Sequence, residues 1–147
     1  MKLNRLILVL ASFVFLTASS WGDGARRFLD LKDLSGGGAS GEVSIEPFQS
    51  RMPRLRTVGV TVYGLKPGSV YSVWYANDKG QRSPAGVDTN HFSTDAGGKG
   101  RYVTSVYEDD LDDWQYMDVM LHPDGNPKNT GGMTPALRGD LVYGTHS

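Results

Sequence analysis

From Glu42 onward the chain alternates apolar and polar residues with a period of two, and glycine, proline and asparagine interrupt the pattern repeatedly. Nothing else in the sequence constrains the fold as strongly. In "RTVGVTVYGL" Val58, Val60 and Val62 share one face, with Thr57 and Thr61 on the other. "KPGS" is a type II turn signal, because Pro67 fixes φ and Gly68 supplies the positive φ that the third turn position requires. "VYSVWYAN" follows as a strand and "NDKG" closes it. "HFST", the tight "DAGGKG" connection and "GRYVTSVY" predict a further hairpin. "WQYMDVMLH" and "ALRGDLVY" complete the set, separated by the turn-rich "PDGNPKNTGGMTP". The expectation is an all-β protein, an antiparallel Greek-key β-sandwich of about seven to eight strands and immunoglobulin-like in general form.

The amino terminus has different chemistry. Lys2 and Arg5 form a basic region, "LILVLASFVFLTA" (6–18) an apolar one, and Ala18, Ser19 and Ser20 offer the small residues of a cleavage site. Residues 1–20 are therefore expected to be a signal peptide. The apolar run is shorter than the roughly 18 to 20 residues of a spanning helix, so stable membrane insertion after cleavage is not expected. Residues 21–41 follow as a flexible arm in which Phe28, Leu31 and Leu34 recur at helical spacing before the pliant "SGGGASG". Residues 42–147 hold the β-sandwich domain. The expected location is secreted or periplasmic. The chain has no cysteine, so an exported form is held by packing and not by disulfides. Its net charge of −1 falls to −3 with loss of Lys2 and Arg5, which argues against nucleic acid as a partner.

Several chemistries can be set aside. Without cysteine there is no thiol nucleophile. "GASGE" falls one glycine short of a serine nucleophile elbow and lacks its strand-turn-helix setting. "DAGGKGRY" has no Ser or Thr after its lysine, and a hairpin turn accounts for its glycines. The run "EDDLDD" places Asp109, Asp110, Asp112 and Asp113 beside Glu108, a crowd of oxygen ligands of the kind calcium favours and equally a solvated strand end. "DGNPKN" starts like a calcium loop, but Lys128 stands where a third ligand belongs. His91 and His122 sit at the ends of strand patterns, where imidazoles serve as metal ligands or as ordinary hydrogen-bonded residues. His146 lies at the carboxyl end, where chains are loosest.

The strand "VYSVWYA" carries Tyr71, Val73 and Tyr75 on one face and Val70, Ser72, Trp74 and Ala76 on the other. One face goes to the core. Trp74, extended by Trp114 and Tyr116 from a later strand, forms a candidate aromatic surface for a protein or glycan, unless these rings too are core.

"GLKPGSVYSVWYAND", "SPAGVDTNHFST", "VMLHPDGNPKNTGG" and "ALRGDL" follow one another in an order that resembles the copper-zinc superoxide dismutase fold and its relatives, including chordin-type (CHRD) domains. In that family a Gly-Leu-x-x-Gly turn precedes a strand with a His-x-His copper pair, and an Ala-Gly-x-His-Phe segment carries a bridging histidine. The resemblance spans residues 56 to 142. It places His91 at the bridging position and His122 at the late copper position, whereas Val73 and Tyr75 occupy the His-x-His pair. The zinc histidines and paired cysteines have no counterpart. "LKPGSVYSV" also resembles the tyrosine corner of fibronectin type III domains, and "YSVW" with "FSTDAGGKG" resembles the sandwich of anti-sigma-K-type regulators. What these likenesses imply is an exported, non-catalytic binding or structural module without a cofactor. The alternative they leave open is a dismutase-like metal-binding protein using His91 and His122.

Overall fold

The computed structural model describes residues 26–47 and 54–142, together with the backbone of 145–146. The expected signal peptide, residues 1–20, lies outside the described residues. So do Trp21 to Ala25 of the expected arm.

The protein is all-β. Ten strands lie in one antiparallel sheet among the described residues. In chain order they are β1 (Arg27–Asp33), β2 (Ser40–Ile45), β3 (Leu55–Tyr63), β4 (Val70–Ala76), β5 (Arg82–Pro84), β6 (His91–Ser93), β7 (Gly100–Tyr107), β8 (Tyr116–His122), β9 (Thr134–Asp140) and β10 (Thr145–His146). A six-residue helix, α1 (Glu108–Asp113), joins β7 to β8. Spatially the strands run β5-β4-β8-β9-β1-β2-β3-β7, with β6 also on β4 and β10 on β1.

The path curls because its ends share a core and a connecting segment. Residues 85–93 leave β4 and reach β7: the Ala85 N–H donates to the Val73 carbonyl, the Val87 N–H to the Ser105 carbonyl, and the Tyr102 hydroxyl to the Ala85 carbonyl. Inside the curl one apolar cluster gathers Leu29, Leu31, Val43, Val60, Tyr71, Val119 and Leu137 with their neighbours. The Phe92 ring on β6 stacks between Tyr71 of β4 and Tyr102 of β7, closing the gap between the two ends. Each aliphatic or aromatic side chain so enclosed contributes about 1.5–3 kcal/mol. The alternation on β3 holds as read, with Val58, Val60 and Val62 buried, and it runs on to Arg56. That guanidinium plugs one end of the core by pairing with Glu108.

Three details differ from the sequence reading. Residues 27–33, assigned to a loose arm with a helical repeat, form β1 between β9 and β2. Leu29 and Leu31 both enter the core, so the repeat that operates is two and not three, and the pairings on either side decide it. "HFST" and "GRYVTSVY" do not pair with each other: β6 pairs with β4 and β7 with β3. The turn between them is nevertheless tight, and Gly98 sits at φ 76° where a Cβ would collide with the Leu65 carbonyl oxygen. The backbone of His146 is tied into the sheet opposite Phe28. The "KPGS" turn is as expected, with Gly68 at φ 58°. Among the described residues no helix is long and apolar enough to cross a membrane.

Candidate functional site

Strands β4 and β8 each have a second, largely buried face, which β9 extends with the half-buried Arg138 and Asp140. Alternation sends Tyr71, Val73 and Tyr75 of β4 into the core together with Met117 and Val119 of β8. It leaves Ser72, Trp74, Asp118, Met120 and His122 on the outer side, where a polar residue would ordinarily meet water. Here Ser72, Asp118 and His122 are almost completely enclosed, and Asp118 has no exposed surface at all.

Register explains how this outer face is assembled. Trp74 lies opposite Asp118, Asp118 opposite Arg138 of β9, and Arg138 opposite Lys32 of β1. Arg138 donates two hydrogen bonds to the Asp118 carboxylate, from Nε and Nη2, each at 2.7 Å. The Nε of Arg82, on β5, stands 3.7 Å from the same carboxylate. The Asp118 carboxylate, by hydrogen bond and by charge, holds the Arg138 guanidinium still further above its usual pKa. The guanidinium also lies 4.4 Å over the Tyr116 ring. The Tyr116 hydroxyl donates to Asp78 at 2.6 Å, and Gln115 Nε2 donates to the same carboxylate at 2.8 Å. The first of these bonds lowers the Asp78 pKa and raises that of Tyr116. One chain of contacts therefore runs from Asp78 through Tyr116 and Arg138 to Asp118 and Arg82. Beside it is an open depression of about 320 Å³ lined by Asp30, Lys32, Leu34, Tyr116, Arg138 and Asp140.

Further along the same face is a second network. The Trp74 indole N–H donates to Ser72 Oγ at 2.7 Å, and Ser72 Oγ and His122 Nε2 share a hydrogen bond at 2.6 Å. Met133 Sδ lies 3.9 Å from Ser72 Oγ. His122 Nδ1 is buried without a hydrogen-bond partner. An unpaired lone pair costs less there than an unpaired N–H, so the proton belongs on Nε2 and Ser72 accepts from both rings. The Ser72–His122 spacing is that of a nucleophile and its base, yet the serine is fully enclosed and its hydroxyl points to a thioether. The pair is a buried hydrogen-bonded unit that fixes the Trp74 indole on this face.

The remaining residues singled out from the sequence are dispersed. His91, exposed on β6, is opposite Ser72, whereas His122 is opposite Val70 on the other edge of β4, so their backbones are two strand spacings across and two residues along, about 12 Å apart. Asp109, Asp110, Asp112 and Asp113 are all on the short helix α1, where Asp109 and Asp110 each have Asp113 as a helical neighbour. Asp109 pairs with Arg54 at 3.3 Å, and burial, then Asp113 and Asp109, push the Asp110 carboxyl up. Among the described residues no group of three or more His, Asp or Glu is placed to hold a metal ion. Trp74 and Tyr116 share the outer face, whereas Trp114 precedes β8 and stacks on Tyr75 toward the core at 6.2 Å.

The residues that organise the face, Asp118, Arg138, Arg82 and Asp78, were not singled out from the sequence. A signal was there: an aspartate in the middle of "YMDVMLH" breaks a run that is otherwise almost wholly apolar, and the strand pattern that follows it, "ALRGDL", carries an arginine. The outer side of β3 and β7 is different in kind, with Tyr63, Val103 and Tyr107 exposed and flanked by threonine and serine. Comparison with family models, with curated proteins and with solved structures finds no match to this chain.

Proposed function

We propose that this is an exported, non-catalytic binding module, a Greek-key β-sandwich of the kind that copper-zinc superoxide dismutases and chordin-type domains resemble, which engages a ligand through the outer face of β4, β8, β9 and β1. What supports the sandwich part is the curl of the sheet: β4 and β7, far apart along the strand order, pack on one core through the Tyr71, Phe92 and Tyr102 rings. Val73 and Tyr75, at the His-x-His positions of the dismutase resemblance, are core residues, which favours a scaffold over a copper enzyme.

One observation carries the binding reading: a carboxylate with no exposed surface is buried on a face the core does not need, and it fixes an arginine beside an open depression. Burying a charge costs several kcal/mol, about as much as its pairing returns, so apolar residues would serve stability equally well. Holding a recognition side chain in one geometry is the use for which such an arrangement is suited. The test is co-sedimentation of the purified protein with insoluble cell-envelope and extracellular material. Retention of the wild type and release of Arg138→Met supports the reading, and equal behaviour of the two overturns it. Amino-terminal sequencing of the exported protein checks the signal, with Trp21 as the expected first residue.

A further inference from the structure

The chemistry of the depression narrows the ligand, and this step rests on the binding reading above. Its walls alternate in sign: Lys32 and Arg138 are N–H donors, Asp30 is a carboxylate acceptor, Asp140 is a second carboxylate that already accepts the Val142 N–H, and Leu34 and the Tyr116 ring supply apolar contact. Asp118 takes Nε and Nη2 of Arg138, which leaves the Nη1 amino group for another acceptor. The lining itself is balanced, Lys32 and Arg138 against Asp30 and Asp140, so it offers no net positive charge to draw a phosphate, sulfate or carboxylate ligand. A purely apolar ligand would strand the charged walls without partners.

We propose that the depression binds one residue of a neutral saccharide. A vicinal pair of hydroxyls both donates and accepts, which matches a wall that presents ammonium and guanidinium donors beside carboxylates. The C–H face of a sugar ring fits against Leu34 and the edge of Tyr116. A volume of about 320 Å³ is at the small end of small-molecule sites. The guanidinium is already fixed by Asp118 and Tyr116, so little side-chain entropy is lost on binding.

The test is a titration of the 15N-labelled protein with cellohexaose, chitohexaose, maltohexaose and a mannohexaose, followed by amide shifts. The expected result is saturable shifts at residues 30–34, 116 and 138–140 with at least one of these sugars. Lys32 and Asp30 are exposed, so Lys32→Ala and Asp30→Ala should fold normally. Each should weaken binding about tenfold or more, the loss expected for a hydrogen bond to a charged group. His91→Ala should leave the affinity unchanged. Shifts with none of the four sugars, or shifts that map elsewhere, would overturn the proposal, and so would shifts confined to oligolysine or oligogalacturonate, titrated in parallel as charged controls. If co-sedimentation still depends on Arg138 in that case, the binding face stands and only the ligand class falls.

Discussion

The two faces of β4 and β8 both bury side chains, but by opposite means. On the inner face Tyr71, Val73, Met117, Val119 and Leu137 exclude water by packing, and nearly every atom is apolar. On the outer face Ser72, Asp118 and His122 are as deeply enclosed, yet each is held by directional bonds to Trp74, Arg138 or a neighbouring ring. A sheet needs only one packed face to fold. The second kind of burial needs partners for the donors and charges it encloses, and what it supplies in return is fixed geometry. Fixed geometry of this kind is what recognition of a ligand requires.

The contrast can be broken from the inside first. Leu137→Ala removes a side chain with no exposed surface from the centre of the cluster, and an unfolding titration should show a loss of about 3 kcal/mol. Asp118→Ala attacks the outer face. It strands Arg138 and Arg82, but both guanidiniums are about one-third exposed and water can reach them, so the cost should be about 2 kcal/mol, below that of a fully buried pair. Ser72→Ala takes the shared acceptor from Trp74 and His122 and should cost about 1 kcal/mol, visible in the same titration.

The smallest effect lies outside both faces. The Ser35 hydroxyl and the amides of Ser35, Gly38 and Ala39 bond the Asp33 carboxylate and hold its pKa at about 2, against an ordinary 3.8. A depressed carboxyl stabilises the fold fully above its unfolded pKa and loses that contribution as pH falls through the folded value. The melting temperature of wild type should therefore exceed that of Asp33→Ala by a constant margin above about pH 5, and the margin should shrink between about pH 4 and 2. A margin that does not change over that window would contradict the assignment.

Much of the inner face was legible because packing follows period. The valines of β3 and the Tyr71, Val73, Tyr75 row of β4 can be read directly from alternation. β1 was not, because Phe28, Leu31 and Leu34 fit a helical period as well as Leu29 and Leu31 fit an extended one, and only β2 and β9 on its flanks resolve the ambiguity. The outer face was legible in its aromatics, Trp74 and Tyr116, but not in its charges. Asp118 and Arg138 lie twenty residues apart. They meet through the register of β8 on β9, which includes a bulge between Val119 and Met120 that no local pattern announces. His91 and His122 illustrate the reverse: both are conspicuous in the sequence, and the sheet sets β4 between them.

The most direct measurement is the unfolding free energy of the double variant Asp118→Leu/Arg138→Leu. If the buried pair exists for what it presents and not for the fold, the apolar replacement should be within about 1 kcal/mol of wild type and well above Asp118→Ala. A double variant as unstable as the single one would mean that the pair holds the sheet together, and the case for a binding face would lose its support.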